Sequence, residues 1–318
     1  MIDFIFFGSD DIVIDKMYRD INNHNRAIYK KGMYNSDIRF LKFLFKVSFN
    51  HISGKWLPYN IKKIWFKYIM GYDNISENAV FVFTRDNIRY LELGFRKYLK
   101  THYKKCKIIA LFLDIDGLRK FDERKINKFI DDSYVFDNEE AKDKHIKFYP
   151  LCYSKVEVEN NKKEIDICFI GQDKGRLEDL YKVYKQAKKL NLRTAFYICG
   201  EYCEKYRNYP GIKFVENMEY EEVLKIISKS KYNLEMCLSN TSAITIRLYE
   251  SISFSLGLIT NNEKVRKSPY YDAEFIKICN FDNIDLSFAN EEVTYDFNSL
   301  KQKINPVAFV DYLLNLYL

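Results

Sequence analysis

Two rhythms of apolar residues run along the chain. Short, nearly unbroken runs have the length and composition of buried strands: IDFIFFG (2–8), AVFVFTRD (79–86) and KIIALFLDID (107–116), then EIDICFIG (164–171), RTAFYICG (193–200), GIKFVEN (211–217), YNLEMCL (232–238) and LIT (258–260). Between them apolar positions recur at helical spacing: after Asp11 through Ile21, over 87–104, in FDERKINKFIDD, LEDLYKVYKQAKKLNL and YEEVLKIISKSK, and in IRLYESISFSL, where Ile246, Tyr249, Ile252 and Leu256 share a face. Strands of continuous apolar character alternating with helices predict an α/β protein with parallel sheets covered on both faces, its ligands beyond the carboxyl ends of the strands. The alternation lapses in LCYSKVEVENNKKE and then restarts. The predicted division is therefore a domain over 1–150, a linker over 151–163, a second domain over 164–304 and a closing helix over 305–318. Asn305-Pro306 starts that helix, an N-cap residue followed by proline at the first helical position. Two such halves joined by a short linker imply a cleft between them.

Composition fits this organisation. A chain of 318 residues is long for one core and suits two domains of about 150 residues each. With 47% hydrophobic and 30% charged residues it is globular rather than disordered. Seven scattered cysteines form no CxxC pair, and a reducing compartment is expected. The opening MIDFIFFGSDD lacks the basic start of a signal peptide, and no apolar run reaches the ~20 residues of a spanning helix. The expected location is cytoplasmic, peripheral on the inner face of the plasma membrane. Charge supplies the reason. The net +7 is uneven, and residues 39–70 hold seven Lys/Arg, no Asp or Glu, and nine aromatics including Trp56 and Trp65. Basic amphipathic helices flanked by tryptophan suit an anionic membrane surface; a core-facing helix with a basic outer face would carry the same residues. No nucleic-acid motif accompanies the charge, and nucleic acid is not an expected partner.

Candidate chemistry concentrates in Tyr232–Asn262, a strand, a polar Ser/Asn/Thr loop, a helix and a strand. A helix N-terminus fed by such a loop offers unpaired N–H groups and partial positive charge to a phosphate. Arg247 and Glu250, three apart, are neighbours on that helix. Arginine can clamp a diphosphate and a carboxylate can accept two ribose hydroxyls; the same spacing also makes an intrahelical ion pair. Gly257 is read as the left-handed stop after the helix. In Gly171-Gln172-Asp173-Lys174-Gly175-Arg176, glycines allow close backbone approach and Lys174 and Arg176 supply charge, although the spacing is neither a P-loop nor GxGxxG.

The combination VFDNEEAKDKHIKFYPLCYS, IDICFIGQDKGRLEDLYKVYKQAKKLNLRTAFYICG and TIRLYESISFSLGLITNN resembles bacterial glycosyltransferases of capsule and lipopolysaccharide clusters, over most of residues 130–262. The resemblance implies the GT-B fold, two Rossmann-like domains facing across a cleft, with the nucleotide-sugar donor (UDP- or another NDP-sugar) held mainly by the second. It places Lys174 and Arg176 at the diphosphate and Glu250 at the donor ribose or sugar, with Thr245, Arg247 and Glu250 matching a T-x-R-x-x-E run. Gly171, Gln172, Gly200 and Ser242 complete the expected donor set. The sequence departs from the pattern at Asn240-Thr241-Ser242-Ala243, where a Gln and a Gly often stand, and Ser242 occupies the place of a second glutamate. The implied activity transfers a sugar to a glycan or lipid-linked acceptor of surface polysaccharide, with no obligatory cofactor or metal.

Asp114-Ile115-Asp116 after an apolar strand matches the DxD of metal-dependent GT-A glycosyltransferases, where two carboxylates hold a divalent cation against a diphosphate. Under GT-B, Asp10, Asp11, Asp114 and Asp116 are instead acceptor-side candidates for the general base, and each could equally be a helix cap or turn residue. The four histidines show no metal-ligand spacing. The two-domain pattern also suits a sugar-nucleotide epimerase, which needs no acceptor. The departure at 240–243 suits a non-catalytic binding subunit of a polysaccharide assembly complex.

Overall fold

The computed structural model describes residues 1–34, 38–50, 52–113, 127–156, 162–201, 204–238 and 243–318. The chain separates into two compact units, Met1–Ser154 with Ile304–Leu318, and Lys155–Lys303. The first contains a six-stranded sheet in the order β2-β1-β3-β4-β5-β6. Its strands are β1 Ile2–Phe7, β2 Ala27–Lys30, β3 Ile75–Thr84, β4 Lys107–Phe112, β5 Asp132–Val135 and β6 Lys147–Phe148. The second contains β7 Ile165–Gly171, β8 Thr194–Cys199, β9 Ile212–Val215, β10 Ser230–Glu235, β11 Gly257–Thr260 and β12 Ile276–Ile278, in the order β12-β11-β10-β7-β8-β9. Every described pairing in both sheets is parallel. The continuous apolar runs explain this: Phe4, Ile5, Phe6 and Phe7 are fully buried, as are Val80–Phe83, so both faces of each strand must be covered.

Each unit is opened by the same device. β1 and β7 both begin Ile-Asp, and in each the aspartate's backbone N–H donates to the carbonyl of an arginine just before the next strand: Asp3 to Arg26 at 2.9 Å, Asp166 to Arg193 at 2.8 Å. The side chains pair as well, Arg26 Nε on Asp3 at 2.6 Å and Arg193 Nε on Asp166 at 3.0 Å. From its first strand each sheet grows in both directions. The crevice where the direction reverses lies between β1 and β3 in the first unit and between β7 and β10 in the second. These switch points, at the carboxyl ends of the strands, are where ligands of open parallel sheets bind.

Several elements differ from expectation for identifiable reasons. The short edge strand β2 follows Arg26 in a run too brief to carry a pattern. The helix expected over 87–104 is broken into Arg85–Tyr90, a wider turn over Leu91–Phe95 and Arg96–His102, with Gly94 at φ 112°. The left-handed residue after the helix Ile246–Phe254 is Ser255, at φ 55°. Gly257 instead starts β11, and a Cβ there would lie 2.2 Å from the Tyr232 ring. The closing helix Pro306–Tyr317 is capped by Asn305, which accepts from Val307 N at 3.0 Å. It packs in the first unit, with Phe309 and Tyr312 against Tyr134 and Tyr149. Within the segment expected to be a linker, Leu151 to Ser154 are buried. The Ser154 hydroxyl donates to the Met17 carbonyl at 3.1 Å.

Candidate functional site

In the second unit Gly171 to Arg176 follow or end β7, and Thr245, Arg247 and Glu250 lie at the start of the helix after β10, on the two sides of the β7–β10 switch point. Arg176 follows the loop after β7. Its guanidinium donates to the Asp173 carbonyl at 3.3 Å, the Gln172 carbonyl at 2.5 Å and, across the crevice, the Met236 carbonyl at 2.9 Å. Phe169 lies beneath it, 5.5 Å from the guanidinium carbon. Arg247, at the second position of the helix Ile246–Phe254, reaches the other way and donates to the Ile170 carbonyl of β7. The two arginines thus lace the crevice shut from opposite sides. Burial first, and then the nearby positive charge of Arg247, lowers the pKa of Arg176. Arg176 makes no ion pair among the described residues.

Arg247 is differently placed. Burial opposes its charge, but the Glu250 carboxylate outweighs burial and its pKa lies above the ordinary value. The Arg247–Glu250 contact is 2.7 Å, and Glu250 is only 1% exposed. Tyr220 also donates to Glu250 at 2.9 Å, and Asn233 at 3.5 Å. Both carboxylate oxygens are therefore engaged inside the unit, and the i, i+3 spacing makes an ion pair. Thr245 caps the helix, accepting from Arg247 N at 3.2 Å.

Glu235, at the end of β10, belongs to no motif that the sequence displays. It is buried and accepts hydrogen bonds from the hydroxyls of Thr245 and Thr260, while burial raises its pKa. Asn262 extends this network, donating to the Ala243 carbonyl at 3.1 Å. The helix N-terminus is thereby fixed by a buried carboxylate whose one sequence signal is an acidic residue inside an apolar run. Gln172 and Lys174 are exposed, Lys174 at φ 44°. Gly200, φ 139°, follows β8 with open space where a Cβ would be. Ser242 lies outside the described residues.

In the first unit, the β1–β3 switch point holds a cavity of about 560 Å³. Ser9 and Asp10 follow β1, and Asp86, Asn87, Arg89 and Tyr90 follow β3; all line it. Asn87 ties the two strand ends together, donating to the carbonyls of Phe7, at 3.2 Å, and Gly8. The two adjacent aspartates are separated by role. Asp11 caps the helix Ile12–Tyr18, accepting from Val13 N at 2.7 Å and Ile14 N at 3.3 Å. Asp10 faces the cavity, its carboxylate so close to Gly32 (φ 67°) that a Cβ there would sit 2.4 Å from Oδ1. Asp114 and Asp116 lie outside the described residues. Among the described residues, no three His, Cys, Asp or Glu side chains cluster as a metal site.

The basic-aromatic region is sorted by packing. Phe45, Phe49 and Phe66 are buried, and Trp65 donates to the Ser48 hydroxyl at 3.0 Å. Phe40 and Phe43 are exposed by more than half, and Trp56 is 85% exposed. Ile64 and Tyr68 stand outward beside Lys63 and Lys67. No described helix is long and apolar enough to cross a membrane.

No protein-family model matches the sequence, and no curated protein is similar to it. Solved structures are. The chain is similar to UDP-GlcNAc 2-epimerase from Neisseria meningitidis bound to UDP-GlcNAc, with 13% identity over 99% of this chain and 100% of that one, TM-score 0.50. It is also similar to the glycosyltransferase SnogD from Streptomyces nogalater, 8% identical over 99% and 100% of the two chains, TM-score 0.45. A third likeness is to the E. coli heptosyltransferase WaaC with ADP-2-deoxy-2-fluoro heptose, 11% identical over 90% and 85%, TM-score 0.37. At such identities the likeness speaks to fold. That fold is GT-B, two Rossmann-like domains, each with a six-stranded parallel sheet.

Proposed function

We propose that the chain is a glycosyltransferase that moves a sugar from a nucleotide-sugar donor to a glycan or lipid-linked acceptor of surface polysaccharide. The observation that carries this is the pair of guanidiniums at the β7–β10 switch point. Among the described residues Arg176 is hydrogen-bonded beside Arg247 only to backbone carbonyls, a repulsive arrangement that a bound diphosphate relieves. Lys174 adds a third, exposed cation from the same loop, and the helix N-terminus behind Thr245 adds its partial charge. These groups stabilise the negative charge that develops on the departing nucleotide as the glycosidic bond breaks. Gly171 and Gly200 leave room for the donor; Glu250 orients Arg247 rather than meeting the ribose. In the first unit, Asp10 takes the proton of the acceptor hydroxyl. The exposed aromatic and basic face of residues 39–70 rests on an anionic bilayer at the cytoplasmic side.

A thermal-shift panel of nucleotide sugars tests the donor site, because a true donor stabilises the native state by mass action. One donor should raise Tm, and Lys174→Ala with Arg176→Ala should abolish the rise. Product analysis settles the rival reading. An epimerase shares this fold, and turnover of the donor without any acceptor would replace transfer by epimerisation.

A further inference from the structure

The β1–β3 cavity has a charge pattern that a neutral glycan does not require. Three cations line it: Lys42 and Lys46, one turn apart on the helix Arg39–Ser48, and Arg89 beyond β3. Among the described residues none of the three makes an ion pair. Arg89 donates to the Tyr90 hydroxyl, at 3.0 Å, its guanidinium carbon 4.9 Å from that ring. The aromatic rings of Phe45, Phe49 and Tyr90 pack at 4.8 to 5.8 Å in the same wall. Tyr34, 8% exposed, adds a buried hydroxyl with no hydrogen-bond partner among the described residues. Asp10 and Asp86 stand in the wall as well, Asp86 accepting from Ser9 at 3.3 Å.

We propose that this cavity binds a phosphate-bearing carbohydrate, its phosphate on Lys42, Lys46 and Arg89 and its hydroxyls on Asp10 and Asp86. Unpaired lysines and an arginine supply the fork and point charges that phosphate oxygens accept from. Carboxylates accept hydrogen bonds from sugar hydroxyls and repel phosphate, so the two sets fix which end of the ligand lies where. The inference rests on the transferase reading only in naming the occupant the acceptor.

Calorimetry on the full chain, with glucose 1-phosphate as the probe and glucose and inorganic phosphate as controls, tests it without any transfer step. Glucose 1-phosphate should bind at least ten-fold more tightly than either control. Lys42→Gln with Lys46→Gln, and separately Arg89→Gln, should each weaken it at least ten-fold at unchanged Tm. Equal affinity for glucose or inorganic phosphate, or unchanged affinity in both variants, overturns the proposal. Vesicles of phosphatidylcholine with and without phosphatidylglycerol separate a second source of phosphate. Substitutions that abolish vesicle binding yet leave glucose 1-phosphate affinity intact assign these cations to lipid headgroups and overturn the proposal too. Nucleotide-sugar binding measured in the same titrations is independent: its absence defeats the transferase reading and leaves the cavity standing.

Discussion

The two units solve the same topological problem and treat positive charge in opposite ways. Both open with an Ile-Asp strand locked to an arginine, and both reverse direction beside that strand. At the β7–β10 switch point the cations are built in. Arg176 and Arg247 hold carbonyls across the crevice, and a buried glutamate holds Arg247. At the β1–β3 switch point, among the described residues, Lys42, Lys46 and Arg89 make no ion pair, and Arg89 holds one tyrosine hydroxyl. One half ties its cations into the scaffold before any ligand arrives, the other leaves them untied.

The largest effect that can break this contrast is Arg247→Ala. It strands Glu250 in the interior without its charge partner, and should cost about 3–5 kcal/mol in denaturant unfolding along with the donor-induced rise in Tm. A loss under about 1 kcal/mol would mean that the scaffold does not depend on Arg247, as it does not on the cations of the first unit. Next in size is Asp166→Asn. Asp166 receives Arg193 N at 2.7 Å and Lys231 at 3.0 Å in addition to the guanidinium, whereas Asp3 has Arg26. The substitution should cost about 2–3 kcal/mol at pH 7, and Asp3→Asn about 1 kcal/mol. Burial works against the Asp166 charge, but Arg193 and Lys231 outweigh it and hold its pKa well below the carboxylate range. Its contribution is therefore present above about pH 4 and lost as the pH falls below that, and the pH dependence of unfolding should flatten in Asp166→Asn.

Lys30→Met sharpens the other side. Burial lowers the pKa of Lys30 to about 8, and among the described residues its ammonium meets the Ile69 carbonyl and, at 4.9 Å, the Tyr72 ring. A folded pKa below the unfolded one makes the charge a cost that is full below about pH 8 and is relieved as pH rises toward the unfolded value. The variant should gain about 1–2 kcal/mol at pH 7, shrinking to nothing near about pH 10.5, in denaturant melts across pH. The smallest expected effect is Arg89→Gln, within about 0.5 kcal/mol of the wild type in the absence of ligand. A large loss there would make Arg89 structural.

Most strands were legible because burial on both faces writes an unbroken apolar run, as in Val80–Phe83 and Ile167–Ile170. The arginines of the second unit were legible as cations after a strand and at a helix start but not as scaffold, since no spacing reveals that Arg176 reaches Met236, sixty residues away. Glu235 was invisible for the same reason: a single carboxylate in a strand declares its worth only when two distant threonines meet it. Residues 39–70 read as one basic-aromatic block because aromatics surround each helix. Only the packing of Phe45, Phe49 and Phe66 inward decides that Lys42 and Lys46 border a cavity while Phe40, Phe43 and Trp56 stay outside. Gly257 could be read as a turn from sequence; that the Tyr232 ring leaves it no room for a side chain could not.

The return of Ile304–Leu318 to the first unit has a consequence for synthesis. A nascent chain emerges amino end first, and domains ordinarily fold as they appear. Here the Tyr153 amide waits for the Ile304 carbonyl, and Asp20 for Asn305. The lobe translated first is thus closed only by residues translated after the whole of the second.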